Sequence, residues 1–290
     1  MSQTLEQLVA SVPGSTPALM RWIQSQLIAG HSMATLEQSL LASGWTPTVA
    51  QAALTACTAP LAAPPSAPAT IRPAGPGPNL QQHVGDIHVG DRHIQVLMAM
   101  QHPHVVLFGN LLSDAECDQL IADARPAMAR SRTVATQASR EEINPDRTSQ
   151  GMFYTRGQTP VVARLETRIA RLLRWPEENG EGLQVLNYLP GAQYKAHHDY
   201  FNPKEPSSAA ILQRGGQRVG TLIIYLNDVP AGGGTYFPES RLRFYPRKGN
   251  AVFFAYPHPE IQTLTLHAGD PVLQGEKWIA TKWLREREFV

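Results

Sequence analysis

Hydrophobic residues recur at the three- and four-residue spacing of amphipathic helices through the first 57 residues of the chain. Three short helices are predicted there, each opened by a polar residue or a proline. They begin near Pro17, after Ser32 and at Pro47. Their apolar positions are Leu19, Trp22, Ile23 and Leu27, then Leu36, Leu40 and Leu41, then Val49, Ala50, Ala53 and Leu54. Such short helices persist only when they pack on one another, so a small N-terminal helical bundle is predicted.

Beyond residue 180 the pattern changes to short runs of β-branched and aromatic residues between glycine and proline turns. The predicted strands are 183–188, 194–200, 218–226, 243–245, 251–255, 264–267 and 278–284, with two earlier ones at 87–96 and 105–108. Two helices lie between these groups; one opens with the capping box Ser113 to Glu116 and the other at Thr159-Pro160. Many short strands preceded by helices predict a mainly β fold, a double-sheet jelly roll with supporting helices on one side.

Composition divides the chain into three parts. Residues 58–79 are dominated by alanine and proline, which favour extended conformations and cannot bury a core. The predicted parts are therefore a helical module at 1–57, a linker at 58–80 and a larger domain at 81–290. Within the larger domain, the polar stretches 132–157 and 200–217 are predicted to be loops.

Charge and cysteine content exclude several classes of protein. The formal net charge of the 290 residues is +1, which gives no indication of nucleic acid or of an anionic membrane as a partner. The two cysteines, Cys57 and Cys117, lie in dissimilar segments, so no disulfide is expected and a reducing compartment fits. The sequence lacks the basic and then apolar pattern of a secretory signal at its start, and it has no apolar run of bilayer length. A cytoplasmic location is expected.

The strand predicted at 194–200 carries the pair His197 and Asp199. Side chains at i and i+2 of a strand share a face, so these two aim at one point and His198 aims away. An imidazole and a carboxylate at that spacing make two-thirds of the facial triad that binds non-haem Fe(II). The third ligand is predicted to be His267, on a later strand. For an isolated pair of this kind, the alternative is a core histidine beside a surface aspartate.

Five other histidines show no recurring ligand spacing and are predicted to lie on loops and strand surfaces: His83, His88, His93, His102 and His104. A metal held by two histidines and one aspartate keeps three coordination positions open, which suits a bidentate 2-oxo acid and dioxygen. Lys277, ten residues after His267, would supply a point charge for the far carboxylate of that acid. Alternate residues from Lys277 to Trp283 share one strand face, so both can line the same pocket.

Seven stretches of the second half carry a family resemblance. They are LQVLNYLPGAQY (183–194), HHD (197–199), QRVGTL (217–222), YLNDV (225–229), TYFP (235–238), PRKGNA (246–251) and HAGDPVLQGEKW (267–278). In this order they resemble the prolyl 4-hydroxylases, which are Fe(II)- and 2-oxoglutarate-dependent dioxygenases with a double-stranded β-helix. The match runs from about Val105 to the C-terminus. It departs from the family where Gly233-Gly234 lacks the glutamate that often precedes Thr235.

The resemblance implies His197, Asp199 and His267 as iron ligands. It implies Lys277 as the salt-bridge partner of the distal carboxylate of 2-oxoglutarate, helped by the Tyr188 hydroxyl. Trp283 would line this pocket, and it would also face the substrate side together with Tyr194 and Arg218. The alternative for these last residues is an ordinary structural role in the strands: Tyr188, Tyr194, Arg218 and Trp283.

The implied reaction is hydroxylation of a prolyl residue in a peptide or protein, with decarboxylation of 2-oxoglutarate to succinate and CO2. It uses Fe(II), 2-oxoglutarate and O2, with ascorbate as a reductant. Two alternatives stay open: a hydroxylase of a free amino acid or small metabolite, and a catalytically inactive binding scaffold. The segment LLASGWTP (40–47) loosely resembles three-helix modules of the ubiquitin-associated type, so the N-terminal module either docks a protein partner or is a helical bundle with no ligand.

Overall fold

The computed structural model describes residues 12–28, 31–58, 75–80, 85–130, 132–134, 141–143 and 147–290. Most of the predicted linker, His83 and parts of the polar stretch 132–157 lie outside these residues. The chain forms two compact units, Met1–Arg72 and Pro73–Val290. Within the described ranges, no helix is both long enough and apolar enough to cross a bilayer.

The first unit contains the three predicted helices, which are α1 (Pro17–Ile28), α2 (Met33–Ala42) and α3 (Pro47–Thr58). The Ser32 hydroxyl caps α2 by accepting a hydrogen bond from the Thr35 amide at 3.2 Å. Fully buried side chains from α1 and α3, including Met20, Ile23 and Ala53, form one core with Leu36 and other residues of α2. The predicted N-terminal helical bundle is confirmed, whereas its likeness to ubiquitin-associated modules stays a prediction.

The second unit holds seventeen strands and three helices in its described residues. The strands are β1 (Asp86–His88), β2 (His93–Met100), β3 (His104–Gly109), β4 (Ala129–Arg130), β5 (Arg132–Val134), β6 (Glu141–Ile143), β7 (Gln150–Tyr154), β8 (Leu183–Tyr188), β9 (Tyr194–His197), β10 (Arg218–Tyr225), β11 (Ala231–Gly232), β12 (Thr235–Phe237), β13 (Leu242–Phe244), β14 (Ala251–Ala255), β15 (His267–Gly269), β16 (Val272–Gln274) and β17 (Lys277–Arg285). The helices are α4 (Asp114–Ala124), α5 (Pro160–Leu173) and α6 (Pro206–Gln213).

Two antiparallel sheets dominate this unit. The large sheet has the strand order β1-β2-β3-β14-β10-β17-β8-β7-β4, and the small sheet has the order β13-β12-β15-β9. Neighbours in space are mostly far apart in sequence, as in β10 between β14 and β17. The predicted mainly β jelly roll is confirmed.

Successive side chains of the central strands belong in turn to two separate hydrophobic cores, one on each face of the large sheet. In β10, Leu222 and Ile224 face a core that includes buried side chains of α4 and α5. Ile223 and Tyr225 face the opposite way, into a second core with Phe237 of the small sheet. Because successive strand residues point to opposite faces, a strand buried on both faces reads as a continuous apolar run. The large sheet is therefore covered by helices on one face and by the small sheet on the other.

The short strands β4, β5, β6, β11, β12 and β16 were not predicted, and β15 begins at His267, where the predicted strand 264–267 ends. Four further elements differ from the sequence-based prediction. The segment 87–96 forms the hairpin β1–β2 instead of one strand, because the chain turns at Gly90 with φ of +100°. Strand β7 occupies part of the predicted loop 132–157, and helix α6 occupies part of the predicted loop 200–217. Strand β9 ends at His197, three residues before the predicted end.

Candidate metal centre

The structure brings His197, Asp199 and His267 together at one end of the small sheet. Strands β9 and β15 pair antiparallel with His267 opposite His197. The Nε2 atoms of the two histidines each lie 3.6 Å from an oxygen of the Asp199 carboxylate. One nitrogen or oxygen from each residue falls within 4.8 Å of the other two. In the described part of the chain, no other group of three such side chains converges in this way.

Both histidines are oriented by the backbone two residues before them. The Nδ1 atom of His197 lies 2.8 Å from the Lys195 carbonyl oxygen, and that of His267 lies 3.0 Å from the Thr265 carbonyl oxygen. A carbonyl accepts only, so each Nδ1 carries the hydrogen and each Nε2 presents a lone pair. A hydrogen bond of this kind fixes both tautomer and ring orientation in metal-binding histidines. The donor set therefore fits a divalent transition metal.

The charge states of the site agree with that fit. Burial lowers the pKa of His267 to about 4, and the neighbouring His197 adds to this, so the imidazole is neutral at pH 7 as a ligand must be. Burial acts to raise the pKa of the Asp199 carboxyl, but His267, His197 and Arg218 outweigh it and hold that pKa well below its usual range. The carboxylate is thus ionised in a buried position, where a bound cation would balance its charge.

A partly open pocket lies beside these three residues, and all three contribute to its lining. Alternate residues of β17, from Lys277 to Trp283, line it, as the strand parity predicts. Lys277 pairs with Tyr188 of β8, and its Nζ lies 5.4 Å from the centre of the Tyr188 ring. Only 3% of Lys277 is exposed, and burial lowers the pKa of its amine to about 8. The pocket thus contains a desolvated cation near the metal centre.

Tyr194 and Arg147 form another wall of this pocket. The Tyr194 ring stacks on the His197 ring with centroids 3.6 Å apart, and the Arg147 guanidinium lies 5.1 Å from the Tyr194 ring centre. Arg147 donates to the Gln184 side-chain oxygen at 2.8 Å. The Nε atom of Arg147 and the Nε1 atom of Trp283 are buried with no hydrogen-bond partner among the described residues. Unpaired buried donors are costly, and because Arg147 and Trp283 line the pocket, a bound ligand is in a position to accept from them.

Arg218 lies behind the pocket and does not line it. Glu181 accepts a bidentate pair from Arg218, at 2.6 and 2.9 Å, and also accepts from Arg285 at 2.6 Å. The Arg218 guanidinium sits 4.0 Å from the Trp283 ring centre, and it donates to the Asp199 carbonyl at 3.3 Å. Its contacts support the walls of the site, and its predicted contact with substrate stays a prediction.

Two polar pocket residues, Arg147 and Thr235, escaped the sequence-based prediction. Arg147 lies in a stretch that was predicted to be a loop, so it was assigned no role. Its place in a polar run just before β7 could have indicated a site residue. Thr235 stands in one of the matching stretches but received no role. The Tyr225 hydroxyl donates to its Oγ1 at 2.8 Å, so the hydroxyl hydrogen of Thr235 is directed elsewhere. Both side chains add polar groups to the pocket that holds Lys277.

His198 provides a test of the geometry, because its ring turns away from the centre and packs on Tyr200 at 4.6 Å between centroids. Losing a residue that only hydrogen-bonds to a metal ligand usually lowers metal affinity by about 10–100-fold. His197→Ala removes a ligand itself, so we expect a larger loss. His198→Ala should stay near the wild-type affinity. Anaerobic titration with Fe(II) measures both, and equal losses would contradict the assignment of His197.

Comparisons with known proteins agree with this site. Residues 183–285 match the model of the 2OG-Fe(II) oxygenase superfamily. Probable prolyl 4-hydroxylase 8 of Arabidopsis thaliana is 35% identical over 221 residues, which make up 69% of this chain and 74% of that protein. Prolyl 4-hydroxylase 5 of the same plant is 36% identical over the same coverage. The crystal structure of a viral collagen prolyl hydroxylase from Paramecium bursaria Chlorella virus-1, in complex with 2OG, superposes with a TM-score of 0.50. It shares 29% identity and covers 62% of this chain and 95% of that one.

Proposed function

The chain belongs to the prolyl 4-hydroxylase family and is an Fe(II)- and 2-oxoglutarate-dependent dioxygenase, and we propose that it hydroxylates prolyl residues of a peptide or protein. The reaction consumes O2 and converts 2-oxoglutarate to succinate and CO2. One observation carries the proposal. Two histidine Nε2 atoms and the Asp199 carboxylate converge in the lining of a pocket that also contains the buried Lys277.

In this proposal His197, Asp199 and His267 hold the iron. The bound metal, with 2-oxoglutarate and O2, supplies the oxidising chemistry. The protein positions the reactants and keeps water away. Lys277 pairs with the distal carboxylate of 2-oxoglutarate, and the Tyr188 hydroxyl assists it. Burial strengthens that ion pair because no water screens it.

The substrate side is assigned to the wall formed by Tyr194, Arg147 and Trp283. Two donors there, Arg147 Nε and Trp283 Nε1, have no partner among the described residues, and a peptide offers backbone carbonyls that accept from such groups. The aromatic rings of Tyr194 and Trp283 provide apolar surface that fits the pyrrolidine ring of proline. The relatives of this chain are named prolyl 4-hydroxylases, and one solved neighbour is a collagen prolyl hydroxylase.

The direct test reconstitutes the protein with Fe(II) under anaerobic conditions and then admits O2 with 2-oxoglutarate. Succinate is measured with and without proline-rich peptides, and the mass of each peptide is determined by mass spectrometry. Peptide-stimulated succinate with a gain of one oxygen atom on proline is expected. Succinate without any peptide stimulation would contradict the peptide substrate and point to a small molecule. No succinate under any condition would contradict the enzymatic proposal itself.

The pH dependence of 2-oxoglutarate binding follows from Lys277. Its pKa in the folded protein lies at about 8, below the ordinary 10.5, because burial disfavours the charged amine. The amine therefore carries its charge below pH 8 and loses it as the pH rises further. We expect the KM for 2-oxoglutarate to be flat near pH 7 and to rise above pH 8, by up to about tenfold per pH unit. Lys277→Arg should remove this rise, because a guanidinium keeps its charge. A KM in the wild type that is independent of pH up to 10 would contradict the assignment.

We also propose that the N-terminal helical unit docks a protein partner. Trp22, Met33 and Leu41 each expose more than a third of their surface on its helices, although their side chains are large and apolar. Trp22→Ser and Leu41→Ser, introduced together in the full chain, should leave hydroxylation of short peptides unchanged and impair hydroxylation of an intact protein substrate. If the wild type and the double variant hydroxylate an intact protein substrate equally well, the docking role is wrong.

A further inference from the structure

Two buried hydroxyl groups lie in series behind the Asp199 carboxylate. The Thr221 hydroxyl donates to Asp199 Oδ2 at 2.7 Å. The Tyr256 hydroxyl oxygen lies 2.7 Å from the same Thr221 oxygen. Thr221 and Tyr256 are completely buried, and Asp199 exposes 8% of its surface. The three side chains therefore form a short polar chain inside the protein that ends on the carboxylate.

The direction of these hydrogen bonds is fixed by the number of hydrogens. An ionised carboxylate only accepts, so the single hydroxyl hydrogen of Thr221 is used on Asp199. Tyr256 must then donate its own hydrogen to the Thr221 oxygen. Both hydroxyls point toward the carboxylate, and hydrogen bonds aligned in this way strengthen one another. The arrangement favours one orientation of the charged Asp199 side chain.

Strand pairing does not fix the backbone at Asp199. His197 and His267 face each other in the paired strands β9 and β15, but β9 ends at His197. Asp199 thus stands outside the strand ladder. Thr221, in contrast, lies in the middle of β10, between β14 and β17 of the large sheet. The Tyr256 amide donates to the Val219 carbonyl at 3.0 Å, which fixes Tyr256 to the same strand.

We propose that Thr221 and Tyr256 are positioning residues that hold Asp199 ready to bind the metal. They connect a carboxylate on an irregular segment to the centre of the large sheet. Thr221 contacts the ligand directly, and Tyr256 acts through Thr221. The inference rests on the assignment of Asp199 as a metal ligand, made above.

Metal affinity in the absence of 2-oxoglutarate is the first readout. Thr221→Val keeps the side-chain shape and removes the hydroxyl, and we expect Fe(II) affinity under anaerobic conditions to fall by about 10–100-fold. Thr221→Ser keeps the hydroxyl and should restore most of that affinity. Tyr256→Phe should cause a smaller loss, because Thr221 still donates. Tyr225→Phe is the matched control: it removes another buried hydroxyl bonded to a threonine, and it should leave metal affinity unchanged.

Thermal stability separates positioning from a purely structural role. Thr221→Val strands the buried Tyr256 hydroxyl without its acceptor, so this variant should also lose stability. Adding Tyr256→Phe to it removes the stranded group and should recover much of the stability. Metal affinity should stay at the level of Thr221→Val alone, because the contact with Asp199 is still missing. The proposal predicts that stability and affinity separate in this double variant.

Each outcome decides a different question. If the wild type binds Fe(II) and Thr221→Val binds it equally well, the positioning role is wrong and the metal centre stands. If affinity recovers with stability in the double variant, the two hydroxyls serve only the fold, and the proposal is also wrong. If the wild type binds no Fe(II) with one-to-one stoichiometry, the metal centre itself fails, and this inference fails with it.

Discussion

Asp199→Ala should abolish hydroxylation and weaken Fe(II) binding by more than about 100-fold, beyond the usual cost of losing a group that only hydrogen-bonds to a ligand. The substitution leaves two neutral imidazoles as protein ligands and removes the one anion of the set. The burial of the site makes this loss severe, because solvent screens the charge of the cation poorly there and cannot compensate for the missing carboxylate. The two histidines would still face each other across β9 and β15, so the loss would be one of charge and coordination.

The measurement combines anaerobic Fe(II) titration with succinate formation in the presence of 2-oxoglutarate and O2. Asp199→Asn gives a finer comparison, because it keeps the shape of the side chain and removes only the charge. Asp118→Ala serves as the control, since its carboxylate lies at the surface and pairs with Lys248 at 2.6 Å. Normal turnover in Asp199→Ala would overturn the assignment of the metal centre.

Short-range periodicity was sufficient to predict the placement of His197 and Asp199 even though one of its premises was wrong. The prediction assumed a strand through residue 200, whereas β9 ends at His197. The chain stays extended enough for the i and i+2 side chains to converge, as the 3.6 Å approach of His197 Nε2 to the carboxylate shows. What the local pattern could not contain is the support of Asp199 by Thr221, 22 residues away.

Errors arose where pairing partners are remote. Strand β7 is short, its residue Gly151 has a weak strand preference, and it forms by pairing with the edge of β8. Arg147, just before it, consequently enters the pocket from a segment that was predicted to be a loop. Helix α6 is eight residues long, too short to show a clear period in sequence. Long-range pairing therefore decided strand β7, whereas short length concealed helix α6.

Arg218 illustrates the same limit in a side chain. The family resemblance assigned it to the substrate side, but its guanidinium is engaged by Glu181, 37 residues earlier. Glu181 also accepts from Arg285, near the end of the chain. No spacing in the sequence indicates this three-residue cluster, because it is assembled by the neighbouring strands of the large sheet. Recognising a family motif located the residue but did not reveal its partners.

Lys277→Ala should raise the 2-oxoglutarate requirement sharply while leaving iron bound. Removing one partner of a buried ion pair costs about 2–5 kcal/mol, which corresponds to roughly 30-fold or more in affinity. Lys277 is no metal ligand, so Fe(II) titration should give the wild-type affinity. KM for 2-oxoglutarate, measured at saturating Fe(II), tests the first expectation. An unchanged KM would show that another group receives the distal carboxylate.

The stability of the protein without 2-oxoglutarate gives an independent test of the role of Lys277. Burial lowers the pKa of this amine from 10.5 to about 8, so at neutral pH the folded state disfavours its charge by about 3 kcal/mol. Lys277→Met should therefore unfold at the same temperature as the wild type or at a higher one. Lys282→Met on the same strand is the control. Lys282 pairs with the buried Glu166, so this change should destabilise the protein by about 3–5 kcal/mol. Equal destabilisation by both changes would mean that Lys277, like Lys282, serves the fold. Opposite effects would show that the charge of Lys277 does not serve the fold, as expected for a group kept to bind 2-oxoglutarate.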